Sequence, residues 1–201
     1  LDLGLGALAA TSIVTLMRGA GSLRLPPASA FESAEQRLWQ RLDTDPALTA
    51  ARHAGGFLAR GTIDGFPVAI DVLTAAEPTR MTVRVTLPHH PDLDKLEVVG
   101  RGEEDADVPL PDPILQRMVR VSGVSAETAA TLLEDLHEPL FEVLRAHEDS
   151  RVGGGCVVAV GDAIETDPDA LEVGALLLPA VRLAAALVAQ TSRETGSTEG
   201  R

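Results

Sequence analysis

Apolar and polar positions alternate most cleanly between residues 57 and 87. Phe57, Ala59, Gly61 and Ile63 alternate with Leu58, Arg60 and Thr62; Asp64-Gly65 follows; then Phe66, Val68, Ile70 and Val72 alternate with Pro67, Ala69 and Asp71. Alternation of period two on both sides of Asp-Gly predicts a β-hairpin closed by a two-residue type I′ turn, because that dipeptide accepts the positive φ angles the turn needs. The turn sets the register. Ile63 faces Phe66, Gly61 faces Val68, Ala59 faces Ile70 and Phe57 faces Val72, all on one side of the ribbon. Arg60, Thr62 and Asp71 fall on the other side, so the sheet is expected to be covered on one face and wet on the other. After a turn around Pro78, Met81, Val83, Val85 and Leu87 alternate with Thr82, Arg84 and Thr86 and extend the pattern to a third strand; residues 96–99 predict a fourth.

Helical spacing dominates on either side of this meander. Ser29 and Glu32 form a capping box ahead of Phe31, Ala34, Leu38 and Leu42, with Trp39 beside the stripe, which predicts a helix over 30–42. A second short helix is expected from Pro46 behind Asp45, ending at Gly55-Gly56. Farther on, Ser125 caps a helix carrying Leu132, Leu133 and Leu136, and Pro139 opens another with Leu140, Phe141 and Leu144. Gly153-Gly154-Gly155 ends that unit. Residues 156–160 read as a buried strand, Gly161-Asp162 as a turn, and Asp167-Pro168 as the N-cap of a last helix to about residue 190, kinked or split at Pro179. The fold class is therefore α+β: an antiparallel meander of three to four strands plus a short later strand or hairpin, covered on one face by helices. No repeat of solenoid or propeller period is present. The expected organisation is a leader and linker over 1–28, a single domain over 29–190 and a mobile tail over 191–201.

The leader carries its own message. Leu3 to Met17 is uncharged, a little shorter than the ~18 apolar residues that read as a membrane span, and Arg18 and Arg24 follow it as basic residues follow a span on the cytoplasmic side. An anchor is the favoured reading, with further apolar residues upstream of Leu1 and the domain facing the cytoplasm. A secretory signal cleaved near Ala28-Ser29-Ala30 competes, although arginines between apolar run and cleavage site are unusual, as does a core helix or loose arm. Ser22 to Ala28, with Pro26 and Pro27, is linker chemistry.

Composition narrows the function classes. A chain of 201 residues that is 45% hydrophobic can bury a core without disulfide or metal, in keeping with its one cysteine, Cys156. Thirty acidic residues against 17 basic give a net charge of -13, which repels nucleic acid. Asn and Tyr are absent and Lys95 is the only lysine, a bias expected of a GC-rich bacterial genome.

The segments Gly61 to Ile70 and Pro111 to Gly123, in an order of apolar leader, helix, Gly-rich hairpin meander, Asp-Pro segment, paired helices, short strands and final helix, resemble a group of uncharacterised bacterial membrane-associated proteins. Their soluble α+β domain follows one or two membrane helices. Ile114 and Met118 stand where that group favours Phe, so the likeness is one of architecture and weak motif over about residues 30–190. It implies a membrane-associated domain and carries no catalytic residue across.

Candidate chemistry is sparse. His89, His90, Asp92 and Asp94 form the densest set of metal-ligand types, but adjacent histidines seldom serve one ion and the segment reads first as a polar turn. Glu103 to Asp107 lacks the spacing of a Ca²⁺ loop. His137-Glu138 is followed by Phe141 where a zincin helix needs His, and Glu138 and Glu142 read as helix-end charges, with Glu142 placed to pair with Arg145. The glycines at 153–155 lack the Gly-Lys-Ser/Thr ending of a phosphate loop, and Cys156 has no activating neighbour. The expected function is thus a non-catalytic binding or scaffolding domain. No cofactor is expected; the expected partner is another protein, including a membrane protein, and the membrane through residues 1–17. The alternatives are a metal-dependent hydrolase using His89, His90, Asp92 and Asp94, and a small-molecule or lipid carrier. Convergence of His53, His89, His90, His137 or His147 with carboxylates would separate them.

Overall fold

The computed structural model describes residues 36–43, 45–74, 76, 79–100, 108–162 and 173–198, with side chains to residue 192. The leader, the capping box at Ser29, the acidic run 103–107 and Asp167-Pro168 lie outside the described residues. A helix over 36–43 (α1) precedes β1 (Leu48–His53), β2 (Gly56–Ile63), β3 (Phe66–Leu73) and β4 (Arg80–Thr86). Then come α2 (Pro91–Lys95), β5 (Glu97–Gly100), α3 (Pro113–Met118), β6 (Val119–Ser122), α4 (Ala126–Leu132), α5 (His137–Leu144), β7 (Arg151–Gly153), β8 (Cys156–Asp162) and α6 (Val173–Thr198). All strands among the described residues join one antiparallel sheet of eight, in the order β1-β2-β3-β4-β8-β7-β5-β6. The fold is α+β.

The β2–β3 hairpin has the register that Asp64-Gly65 dictates, with φ 50° and 83° at the turn, Ile63 opposite Phe66 and Phe57 opposite Val72. Two expectations fail nearby. Residues 48–53 form a strand, not a helix behind Pro46: Asp45 caps a turn by accepting from the Ala47 amide (2.9 Å), and β1 then adds to the free edge of β2. Gly61 admits it, since a Cβ there would lie 1.8 Å from the Ala47 carbonyl oxygen. The strand expected as the fourth of the meander, β5, does not continue it. The β7–β8 hairpin, turning at Gly154-Gly155, takes the place beside β4, and β5 pairs with β7 and β6. Gly161-Asp162 is consequently strand and not turn, paired with Met81 and Arg80.

Cross-strand partners share a face, so register sorts the whole sheet. Leu48, Gly61, Val68, Val85, Val157, Val152, Val98 and Val121 make one continuous row across the strands, and every apolar side chain in it is buried. On this inner face α6 packs against β4 and β8, with α4 and α5 packed against α6. Gly161 lets Leu176 approach to 3.0 Å of the Cβ position. The α1 helix adds Leu38 and Leu42 to the core, and Trp39 meets Phe57 edge-on at 5.7 Å while Arg52 lies over its ring. The Ser125 hydroxyl caps α4 by accepting from the Thr128 amide (3.1 Å), and α5 starts at His137, which leaves Pro139 in its first turn.

The last helix runs through Pro179 and on to Thr198, past the expected end near residue 190. Residues 173–192 are long and apolar enough to cross a membrane by length and composition. The packing explains that composition. Val173, Leu176, Ala180, Val181, Leu183, Ala184 and Leu187 are buried in the domain, while Gly174, Ala175, Leu178, Arg182, Ala185 and Ala189 are exposed. Small residues stand where an ordinary surface helix has charges, so both sides of α6 score as apolar.

Candidate functional site

Among the described residues no helix covers the sheet face opposite α4, α5 and α6, and on β1 to β4 its side chains are exposed or half-buried. Its central row, again set by register alone, reads Thr49, Arg60, Ala69, Arg84, Val158, Arg151, Val99, Arg120. Arginine therefore occupies every second strand of the sheet, at β2, β4, β7 and β6, with a small uncharged residue between each pair. Strands lie ~4.7–4.9 Å apart, so successive arginine positions are separated by roughly 9.6 Å. The alternation has a physical basis. Like charges directly opposite on neighbouring strands destabilise a sheet, and a full strand of separation relieves them. Arg60, Arg84 and Arg151 are exposed, and Arg120 is half-buried. Among the described carboxylates none forms an ion pair with Arg60 or Arg84, and Arg151 donates to the Asp149 carbonyl (3.3 Å). Val158 is only 4% exposed although no helix among the described residues covers this face. Its cross-strand partners are Arg84 and Arg151, whose long aliphatic stems are what can exclude water there.

Two polar clusters border the row. At the end of the sheet where β4 begins and β8 ends, Arg80 Nε donates to Asp162 Oδ1 (3.1 Å) and Arg80 Nη1 to Asp149 Oδ2 (2.9 Å). His147, 14% exposed at its side chain, places Nε2 3.0 Å from Asp162 Oδ2 and accepts the Asp149 amide at Nδ1 (3.0 Å). Arg80 Nη2 also stands 3.4 Å from Nε2, so both ring nitrogens are engaged by neighbouring groups. The cluster acts as a clamp between β4, β8 and the loop before β7. Beside it Ser150 is buried, its Oγ accepting from the Val160 amide (3.0 Å). At the β1 side, His53 Nε2 meets Asp71 Oδ1 (3.2 Å), and Nδ1 accepts the Gly55 amide (3.3 Å).

The metal-ligand types proposed from sequence lie apart from both clusters. His90 is the N-cap of α2, its Nδ1 accepting from the Asp92 amide (3.4 Å), so His89 to Asp94 is a capped helical turn where a plain turn was expected. His89, 88% exposed at its side chain, pairs with Asp94 (2.5 Å), and His90 Nδ1 stands 4.0 Å from Asp92. No three His, Cys, Asp or Glu side chains form a ligand set among the described residues. His137 and Glu138 are exposed at the start of α5, and Arg145 stacks over Phe141 (5.5 Å) where pairing with Glu142 was expected. The histidines thus sit in separate places. Gly153 to Gly155 form a tight hairpin end, with the Glu97 carboxylate lying where a Cβ of Gly153 would be. Cys156 is a free, half-buried thiol on the open side, next to Thr86.

The sequence placed Arg60 and Arg84 on the wet face but gave no sign of the full row. Arg151 and Arg120 join it only through the β4–β8, β5–β7 and β5–β6 pairings, which are not local in the chain. Compared with known proteins, the chain matches no family model, no curated protein and no solved structure.

Proposed function

We propose that this is a non-catalytic binding domain, associated with the cytoplasmic face of a bacterial membrane, that offers the open face of its sheet to another protein. The observation that carries the reading is the asymmetry of the sheet: the described helices cover one face, and the other carries a row of arginines on every second strand, exposed at Arg60, Arg84 and Arg151. The polar clusters support it, because their histidines and carboxylates satisfy one another and hold strands and loops in place. Membrane association rests on the uncharged run from Leu3 to Met17 followed by Arg18 and Arg24.

Photo-crosslinking in the native cell tests the binding face. A benzophenone side chain at Thr62 or Thr86, both exposed on the open face, is expected to yield one discrete adduct identifiable by mass spectrometry. The same group at Ala185, exposed on α6, is expected to yield none. Adducts from Ala185 alone would overturn the reading. Fractionation of the full-length protein tests location: it should sediment with membranes, and a wholly soluble protein would refute the association.

A further inference from the structure

The arginine row fits one kind of ligand better than others. We propose that it is a docking track for an acidic polypeptide segment in polyproline II conformation, carrying a carboxylate at every third residue. This deepens the reading of the open face as a binding surface and rests on it. Charge selects an acidic ligand. Cations are the minority sign in this chain, 17 against 30, yet the charged positions of the row are all arginine. A solvated face needs only mixed charge; a row of one sign attracts the other. At physiological ionic strength charges beyond ~8 Å are largely screened, so the net charge of the whole chain does not cancel the row's field. Among the described residues, register places Asp71 beside Arg60 and Arg84, where His53 already engages it, and Glu97 beside Arg151 and Arg120 at the far end of the row.

Spacing selects the ligand's conformation. A polyproline II chain has three residues per turn and rises ~3.1 Å per residue, so every third side chain returns to the same side after about 9.3 Å. Arginines on alternate strands stand roughly 9.6 Å apart. The two repeats agree over the three exposed positions, Arg60, Arg84 and Arg151, and Arg120 continues the line. Shape disfavours a flat partner. Adjacent strands of a native sheet rotate by ~20–25°, so arginines two strands apart diverge by about 40–50°. A flat layer of anionic headgroups cannot meet them all, whereas a flexible chain can follow them. Single-stranded nucleic acid could also follow, but it needs rings to stack on, and no Phe, Tyr or Trp lies in the row or in the rows flanking it.

Fluorescence anisotropy with the full chain tests this. The probes are a labelled peptide of repeated Glu-Pro-Pro triplets, a peptide of the same composition with its glutamates run together, labelled oligo(dT), and vesicles containing anionic lipid. The triplet peptide should bind tightest, and its affinity should fall as salt rises. R60E and R84E should each weaken it by about tenfold, since a reversal replaces attraction by repulsion; R182E on α6 should change it less than about twofold. R84Q, with an unchanged thermal midpoint, guards against a folding defect and should show an intermediate loss. Equal binding of the two peptides, tighter binding of oligo(dT) or vesicles, or indifference to R84E would each overturn the proposal. If a benzophenone at Thr86 captures a protein while the triplet peptide fails to bind, the acidic-track inference falls and the binding face stands. If neither occurs, both fall.

Discussion

Leu183 and Leu178 lie on opposite sides of α6, and substituting each decides whether this helix belongs to the domain core or to a bilayer. Leu183 is 0% exposed and Leu178 is 53% exposed. Leu183→Ala removes three buried carbons, about 0.8 kcal/mol each by transfer alone. The cavity left under α6 raises the expected loss to about 3–5 kcal/mol, because sheet and helix close only partly over it. For a chain of this size that corresponds to a fall in midpoint of roughly 6–20 °C. Leu178→Lys puts a charge on the exposed side and should cost no more than ~0.5 kcal/mol. In a bilayer the two effects would exchange places. Leu183→Ala would lose little, and a lysine near the centre of the span would cost ~2.5–3.5 kcal/mol and release the helix from the membrane. Denaturant unfolding followed by circular dichroism, with membrane fractionation of both variants, gives the comparison. A Leu183→Ala variant within about 1 kcal/mol of the parent, paired with a Leu178→Lys variant lost from the membrane fraction, would refute the packing argument.

Other consequences can be checked by the same means. Ser150→Ala should cost about 1–3 kcal/mol by stranding the buried Val160 amide, with an unchanged denaturant slope, whereas Ser122→Ala on the edge strand should cost no more than ~0.5 kcal/mol. Gly61→Ala should cost about 1–3 kcal/mol and raise hydrogen exchange chiefly in residues 48–53, because the Ala47 backbone and not a flexible side chain blocks the new methyl group. Purified protein dialysed after exposure to zinc should hold no stoichiometric metal. His90→Ala should cost about 0.5–1 kcal/mol as a lost cap; stoichiometric zinc that disappears with His89 and His90 would refute the capping role.

What could be read from the sequence tracks how local each determinant is. The β2–β3 register was legible residue by residue because Asp64-Gly65 fixes both turn type and pairing within the hairpin itself. The Ser125 cap was legible for the same reason. The segment 48–53 was not: Leu48, Ala50 and Arg52 alternate over too short a stretch to outweigh Asp45-Pro46 as a helix start, and what makes it a strand is the open edge of β2 and the bare Gly61, both distant in the chain. The order β4-β8-β7-β5-β6 lies farther still from local signals. Placing β8 beside β4 depends on the inner row of valines forming a continuous layer under α6, a property of the assembled sheet. The same pairing creates the arginine row. In sequence, Arg60, Arg84, Arg120 and Arg151 each mark no more than the polar side of a strand, next to a residue that faces the core. Only when the register carries Val157 to Val85 and Val152 to Val157 does Val158 come to lie between Arg84 and Arg151. The regular spacing that singles out a ligand is thus a by-product of core packing: the valines that align the inner face necessarily align the arginines one residue away, and a substitution that slipped the inner register by one residue would break the outer track as well.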